Sequence, residues 1–271
     1  MFLSNFNYSV LGQNESQRVV FIHGLMAFSA NWRKIASRIQ NDYQCLIYDQ
    51  RGHGRSFKPE SGYSPEIFAQ DLDQITMELG WDKFHLVGHS MGARNAMVFA
   101  DLYPEKVRTL TLEDMGPEAD SQSYVYYEKM LNSVPTPFKS KVEMKSFFTQ
   151  NFEKNFTSKE PISVLSTFLQ ANIEQVNDSD LFDWRFSKQA IIETVKEGHA
   201  KDRWGEISRF KMPVMLIRGE NSHVLKQETY SKMLEANPKI HGVVIKQAGH
   251  WIHYEKYEEF TSILREFLGK N

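Results

Sequence analysis

Ser90 is the residue whose surroundings most directly specify chemistry. It sits in Gly88-His89-Ser90-Met91-Gly92, after the apolar run Phe84-His85-Leu86-Val87 and before Ala93 to Leu102, whose spacing is helical. Strand, turn and helix in that order make the five residues a sharp elbow. Glycines at 88 and 92 carry no Cβ, so strand and helix can pass close together while Ser90 takes a strained backbone position with its hydroxyl exposed. The hydroxyl then lies at a helix N-terminus, where unpaired N–H groups and the helix dipole favour negative charge. Nucleophilic attack is the chemistry this suits. The bare pattern arises by chance in roughly one chain in ten of this length, so the flanking strand and helix give it its weight.

A serine nucleophile also needs amide donors for the developing oxyanion, a base and an acid. The β-branched and aromatic run Arg18-Val19-Val20-Phe21-Ile22 reads as a buried strand ending at His23-Gly24-Leu25-Met26. A glycine in that loop allows close approach to a substrate, and we assign one oxyanion N–H to Leu25 and the second to Met91. Val107 to Leu112 forms another strand that ends at Glu113-Asp114-Met115-Gly116-Pro117. Parallel strands share one C-terminal edge, so Asp114 can lie beside the elbow and is a candidate acid. The glycines and charges of Gln50-Arg51-Gly52-His53-Gly54-Arg55-Ser56 indicate a loop held by internal hydrogen bonds, with neither Arg51 nor His53 catalytic.

The elements that must position these groups alternate. Phe2 to Val10 alternates apolar with polar and is followed by turn residues Gly12 to Ser16, which suggests an edge hairpin. Cys45 to Asp49, Pro213 to Gly219 and His241 to Lys246 read as short buried strands. Trp32 to Ile39, a helix from Ser64-Pro65-Glu66 to Gly80, Lys226 to Glu235 and Glu255 to Leu268 read as helices between them. The expected fold class is therefore α/β, a mostly parallel central sheet with helices on both faces.

From about Glu118 to Phe210 that rhythm stops. Helical patterns at Tyr124 to Val134, Lys141 to Phe152, Ile162 to Val176 and Ser187 to His199 are separated by Pro135, Pro137, Pro161 and Asp178-Ser179-Asp180. A structureless loop of that size is improbable, so a helical lid is expected over residues 118–210, between core segments 1–117 and 211–271. Its aromatics Tyr124, Tyr126, Tyr127, Phe147, Phe148, Phe168, Phe182 and Trp184 could line an apolar pocket above Ser90, although most of them would simply pack the lid.

The 271 residues suffice for one large domain with an insertion. A net charge of -2, from 32 basic and 34 acidic residues, provides no field to attract nucleic acid or an anionic membrane. The single Cys45 cannot pair within the chain and reads as a buried structural thiol. Met1 to Val10 lacks the features of a signal peptide and no apolar run approaches membrane-spanning length, which points to a cytoplasmic protein.

Four motifs in this order, His23-Gly24-Leu25-Met26, Arg51-Gly52-His53-Gly54-Arg55-Ser56, the Ser90 elbow and Gly249-His250-Trp251, resemble the α/β-hydrolase superfamily across the whole chain apart from residues 118–210. More narrowly, Val87 to Gly92, Asp114-Met115-Gly116-Pro117, Ile217 to Ser222 and Gly249 to Lys256 are similar to small bacterial esterases of the YbfF type. The resemblance implies hydrolysis of carboxylic esters, with thioesters such as acyl-CoA within the same chemistry, and no cofactor. His250 matches the family position of the base, whereas His253 reads as the start of the closing helix. Most superfamily members carry the acid where this chain has Ser222, and a serine cannot hold the charge that orients a histidine. Asp114 then supplies the acid, as the YbfF-type likeness also implies, with Glu220 the runner-up. The expected triad is Ser90, His250 and Asp114, acting through an acyl-enzyme on a small apolar ester. His250 and His253 have no further ligands at metal-site spacing, so no metal is expected. The same fold and triad also serve carbon–carbon bond hydrolases and cofactor-free haloperoxidases, and a ligand-binding module with a weak or dead triad is the reading from another class.

Overall fold

The computed structural model describes residues 1–271 except Glu15, Lys159, Glu160 and Asp178. The turn expected over Gly12 to Ser16 and the break at Asp178 therefore lie partly outside the described residues. Apolar runs without alternation become strands buried on both faces: β2 (Gln17–Ile22), β3 (Tyr43–Tyr48), β4 (Phe84–His89), β5 (Val107–Glu113) and, later in the chain, Val214–Gly219. Such strands need cover on each side of the sheet. The first strand, β1 (Tyr8–Leu11), is half exposed and lies at one edge.

The expected edge hairpin is not formed. β1 pairs antiparallel with β3, with Tyr8 opposite Tyr48, because β2 already has parallel neighbours in β3 and β4. Nor is Phe2 to Val10 one strand: Leu3–Asn5 is a turn of 3₁₀ helix that buries Leu3, and the Phe2 and Leu3 amides donate to the Glu78 carboxylate.

Helices α1 (Ala30–Ile39), α2 (Pro65–Glu78) and α3 (Met91–Leu102) connect the first strands. α2 starts as its sequence predicts, with the Ser64 hydroxyl accepting from the Ile67 amide and Pro65 at the first position. It stops before Gly80, whose φ of 68° a side chain would resist. After β5 come α4 (Ser123–Asn132), α5 (Lys141–Gln150), α6 (Phe152–Asn155) and α7 (Ile162–Ala171). A two-stranded antiparallel ribbon, β6 (Ile173–Gln175) and β7 (Phe182–Trp184), follows, then α8 (Lys188–Gly198) and α9 (Trp204–Arg209). That ribbon corrects the expectation that α7 would continue to Val176.

β8 (Val214–Gly219), α10 (Gln227–Ala236), β9 (Ile240–Ile245), α11 (Ile252–Glu255) and α12 (Tyr257–Gly269) complete the chain. The sheet order is β1-β3-β2-β4-β5-β8-β9, parallel from β3 onward. One apolar layer, with Leu86, Phe99 and Leu216, fills the face under α2 and α3, and another, with Trp32, Phe260 and Leu264, fills the face under α1 and α12. A separate apolar cluster joins residues of α4–α8 to Met26. Because β4 and β5 are parallel and adjacent, with His89 opposite Glu113, their C-terminal ends and the residues that follow are side by side. Among the described residues no helix is long and apolar enough to cross a membrane.

Candidate active site

β4 delivers Ser90 to the start of α3 with φ 56° and ψ −124°, a strained conformation for a residue with a side chain. The elbow closes only around glycine. A Cβ on Gly92 would stand 2.6 Å from the His23 carbonyl oxygen, and one on Gly88 would stand 2.7 Å from the Ala93 nitrogen. The Ser90 amide donates to the Glu113 carbonyl at 2.9 Å, which pins the elbow to the end of β5.

Three distant segments converge here. His250 Nε2 lies 2.9 Å from Ser90 Oγ and His250 Nδ1 lies 2.7 Å from Asp114 Oδ2. Since a carboxylate only accepts, Nδ1 carries the proton and Nε2 is left to accept from the serine hydroxyl. Asp114 is fully buried at φ 52°. Its Oδ1 accepts from the Gly219 amide at 3.2 Å, and its Oδ2 also accepts from the Ser222 hydroxyl. Glu220, the alternative acid, is exposed and accepts from the Gln247 amide at 2.8 Å. Ser222 thus stands beside the carboxylate rather than replacing it.

The loop with His23 and Leu25 is held from beneath. His23 Nδ1 donates to the Gly24 carbonyl at 2.8 Å and Nε2 accepts from the Gln50 amide at 2.9 Å. Burial keeps this ring below its usual pKa, so it stays neutral in those roles. Gln50 returns a bond to the His23 carbonyl and accepts from Asn95 on α3, each at 2.8 Å. Sequence reasoning missed this Gln50–Asn95 bridge, because Gln50 reads as one more member of a self-bonded loop and Asn95 as an ordinary position on a helix. Among the described residues no protein acceptor takes the Leu25 or Met91 amide hydrogen.

The loop after β3 is tied both to itself and to its neighbours. Asp49 accepts from the Ser29 amide at 2.6 Å and the Arg55 amide at 2.9 Å, and Arg51 makes a two-pronged pair with Asp71 at 2.5 Å. His53 is buried and its pKa is pushed down to about 3, chiefly by that burial. Neither Arg51 nor His53 lines the Ser90 cavity.

That cavity encloses about 560 Å³. Leu25, Met26, Tyr127, Met130, Leu165 and Phe168 form its apolar wall, and Arg94, Glu118, His199 and Thr229 stand among its polar lining. Of the eight aromatics singled out between residues 118 and 210, only Tyr126, Tyr127 and Phe168 reach it. Phe147 and Phe148 pack with Phe138 and Phe152, Trp184 stacks on Phe186, and Tyr124 lies under the Lys196 ammonium. The Arg94 guanidinium is buried and donates to the Gly116 and Glu118 carbonyls at 2.9 and 2.8 Å, so α3 clamps the segment that follows Asp114.

Behind the three converging side chains lies a second buried group. Glu113 accepts from the His253 amide at 2.8 Å and from His253 Nδ1 at 2.9 Å, and His89 Nε2 donates to the His250 carbonyl at 2.9 Å. Ligand atoms of His89, Glu113 and His253 fall within 4.8 Å of one another. Around a tetrahedral zinc, neighbouring donors stand roughly 3.3 Å apart, whereas His253 and Glu113 bond each other directly. A hydrogen bond, not a gap for an ion, holds that pair.

Comparison with known proteins agrees with this architecture. The pattern of the alpha/beta hydrolase fold family matches residues 17–257. A Haemophilus influenzae protein provisionally named an esterase/lipase is 29% identical over 271 residues, which cover 99% of this chain and 89% of that one. The 2-(acetamidomethylene)succinate hydrolase of Mesorhizobium japonicum is 26% identical over 92% of this chain and 87% of its own. The solved structure of an esterase from a marine microorganism superposes with a TM-score of 0.83 at 25% identity, covering 97% of this chain and 98% of that one.

Proposed function

The chain belongs to the alpha/beta hydrolase fold family, and from that premise we propose that it is a serine hydrolase cleaving carboxylic esters through Ser90, His250 and Asp114, a reading in keeping with its YbfF-type sequence likeness. The observation that carries the reading is the pair of bonds on one imidazole, Nε2 to Ser90 and Nδ1 to Asp114. Esterase and lipase names among its relatives are consistent with it.

In the proposed reaction His250 Nε2 takes the Ser90 proton as Oγ attacks the ester carbonyl. The carbonyl oxygen becomes an oxyanion, which the Leu25 and Met91 amides receive. Those donors are set before the reaction, so stabilising the new charge needs little reorganisation; one such donor is typically worth a hundredfold or more in rate. Asp114 keeps the proton on Nδ1 and stabilises the imidazolium. His250 then protonates the leaving alkoxide or thiolate, and the acyl group remains on Ser90. A water deprotonated by His250 attacks the acyl carbonyl and releases the acid.

Residues 118–210 act in this reading as a cap on core segments 1–117 and 211–271. Its Tyr127, Met130, Leu165 and Phe168 favour an apolar acyl group, and a thioester can enter by the same chemistry. The test is labelling by a fluorophosphonate together with turnover of p-nitrophenyl butyrate. Both are expected in the parent protein, and Ser90→Ala is expected to lose labelling and roughly 10⁴-fold or more in kcat, since the three residues act as a unit. A parent that is neither labelled nor active would point to a binding module instead.

A further inference from the structure

Each of the three converging residues has a buried chain neighbour that the proposed reaction does not use: His89 before Ser90, Glu113 before Asp114, and His253 shortly after His250. Glu113 is the one that reaches all three arms. Its carbonyl holds the Ser90 amide at 2.9 Å, its own peptide bond carries Asp114, and its carboxylate holds the His253 amide at 2.8 Å and His253 Nδ1 at 2.9 and 3.0 Å. The carboxylate is fully buried, where losing a donor is costly, so this contact resists opening.

The His253 ring is fixed on its other faces as well. It stacks on Trp32 of α1 with centroids 4.4 Å apart, and meets the edges of His89 and Phe260 at 4.8 and 6.2 Å. The segment around His250 is fastened from both sides. The Gly249 and Trp251 amides donate to Glu255 at 2.7 and 3.2 Å, and the His250 carbonyl accepts from His89. Of these ties, only the Glu113–His253 contact runs from that segment to the strand end that bears Asp114 and holds the Ser90 amide.

We propose that Glu113 and His253 are a positioning pair, whose contact sets the His250 imidazole against Ser90 and Asp114 during turnover. The proposal rests on the serine-hydrolase reading given above. Both positioning residues act through the His250 segment; Glu113 is fully buried and lies off the cavity lining, while the His253 ring borders the cavity. Neither Nδ1 of His253 nor the Glu113 carboxylate lines a route for the transferred proton, which passes between Ser90 and His250 Nε2.

The experiment compares kcat and KM for p-nitrophenyl butyrate, expressed per active site counted by fluorophosphonate labelling, in the full-length protein and its variants. His253→Phe keeps a ring against Trp32 but removes the Nδ1 donor. Because a misplacement of about 1 Å can cost roughly a hundredfold, kcat per labelled site is expected to fall by about that factor with KM within about twofold. His253→Asn returns an N–H at the Nδ1 position and is expected to recover most of the loss. A purely structural role would lower the yield or melting temperature and leave kcat per labelled site unchanged. A value for His253→Phe within twofold of the parent, or an Asn variant no better than Phe, overturns the proposal. Where His253→Phe does not fold, Glu113→Met, which keeps the length of the side chain and removes both acceptors of the contact, takes its place, and an unchanged kcat per site in that variant is equally decisive against the proposal. A parent that cannot be labelled overturns the hydrolase reading itself, whereas a labelled parent with unaffected variants overturns only this inference.

Discussion

The carboxylate of Asp114 has three donors on it, from His250, Ser222 and Gly219, and no solvent to replace any of them. Asp114→Asn leaves the shape but puts an N–H₂ where only acceptors stood. An amide that keeps its oxygen toward the Gly219 amide turns its N–H₂ to Ser222, whose hydroxyl can accept, and to His250, which then can only accept at Nδ1 and must carry its proton on Nε2, facing Ser90. In that tautomer the ring cannot act as base. The expected result is a fall in kcat of roughly 10⁴ with KM nearly unchanged, read by steady-state kinetics on p-nitrophenyl butyrate; a variant retaining a tenth of parental kcat would mean that another group orients His250. Much at this scale was legible beforehand. Ser90 is announced by glycines whose absence of Cβ is a local requirement, and Asp114 by its place at the end of a parallel strand. Glu113 was not legible: it reads as the polar end of a strand, and its partner His253 lies 140 residues away, a pairing created only by the fold.

At the scale of elements, the elbow and the loop after β2 meet so closely that their glycines divide into two kinds. Gly92 faces the main-chain carbonyls of Ile22 and His23 at the end of β2, which cannot move without shifting the sheet. Gly92→Ala is therefore expected to destabilise the fold by about 1–3 kcal/mol, seen as a lower urea midpoint. Gly24 instead faces side chains: an added Cβ would stand 2.9 Å from His89 Nδ1 and 3.2 Å from Ser90 Cβ. Gly24→Ala should leave the urea midpoint near the parent's while kcat drops about tenfold or more, because the displaced atoms belong to Ser90, the proposed nucleophile, and to the residue that holds the His250 carbonyl. Equal effects of the two variants on midpoint and rate would contradict this division. The elements that sequence patterns describe well are those with many residues and a strong period, such as α2 with its Ser64 cap. β6 and β7 escaped notice because three residues each carry no readable period. β1 was recognised as a strand but given the wrong partner, since alternation specifies which face is wet and not which neighbour completes the sheet.

For the whole molecule, the near-neutral charge conceals a concentration of histidine in the interior. His23, His53, His85 and His89 are each buried, and burial holds every one of them below its ordinary pKa, His53 at about 3 and His85 at about 4. His85 spends both ring nitrogens on Thr109 and Gln17, and His89 uses Nε2 on the His250 carbonyl, so the central strands and the site share neutral imidazoles as hydrogen-bonding parts. The unfolded chain binds protons at these positions near pH 6.5 while the folded chain does not. Stability from a depressed pKa is complete above the unfolded value and is lost as pH falls toward the folded one. Between about pH 6 and pH 4.5 each of His53 and His85 should remove about 1.4 kcal/mol per pH unit, a large slope against a total of about 5–15 kcal/mol. Carboxylates add little there, because their ordinary pKa values lie at the foot of that window. Urea unfolding measured at half-unit steps should therefore give midpoints that are flat from pH 8 to 7 and decline steeply from 6 downward. Replacing His85 by Gln, which can neither gain a proton nor leave Thr109 and Gln17 without a polar neighbour, should flatten the decline by about 1.4 kcal/mol per unit. An unchanged slope in that variant would mean that His85 is protonated in the folded protein, and that the neutral interior described above is wrong at that position.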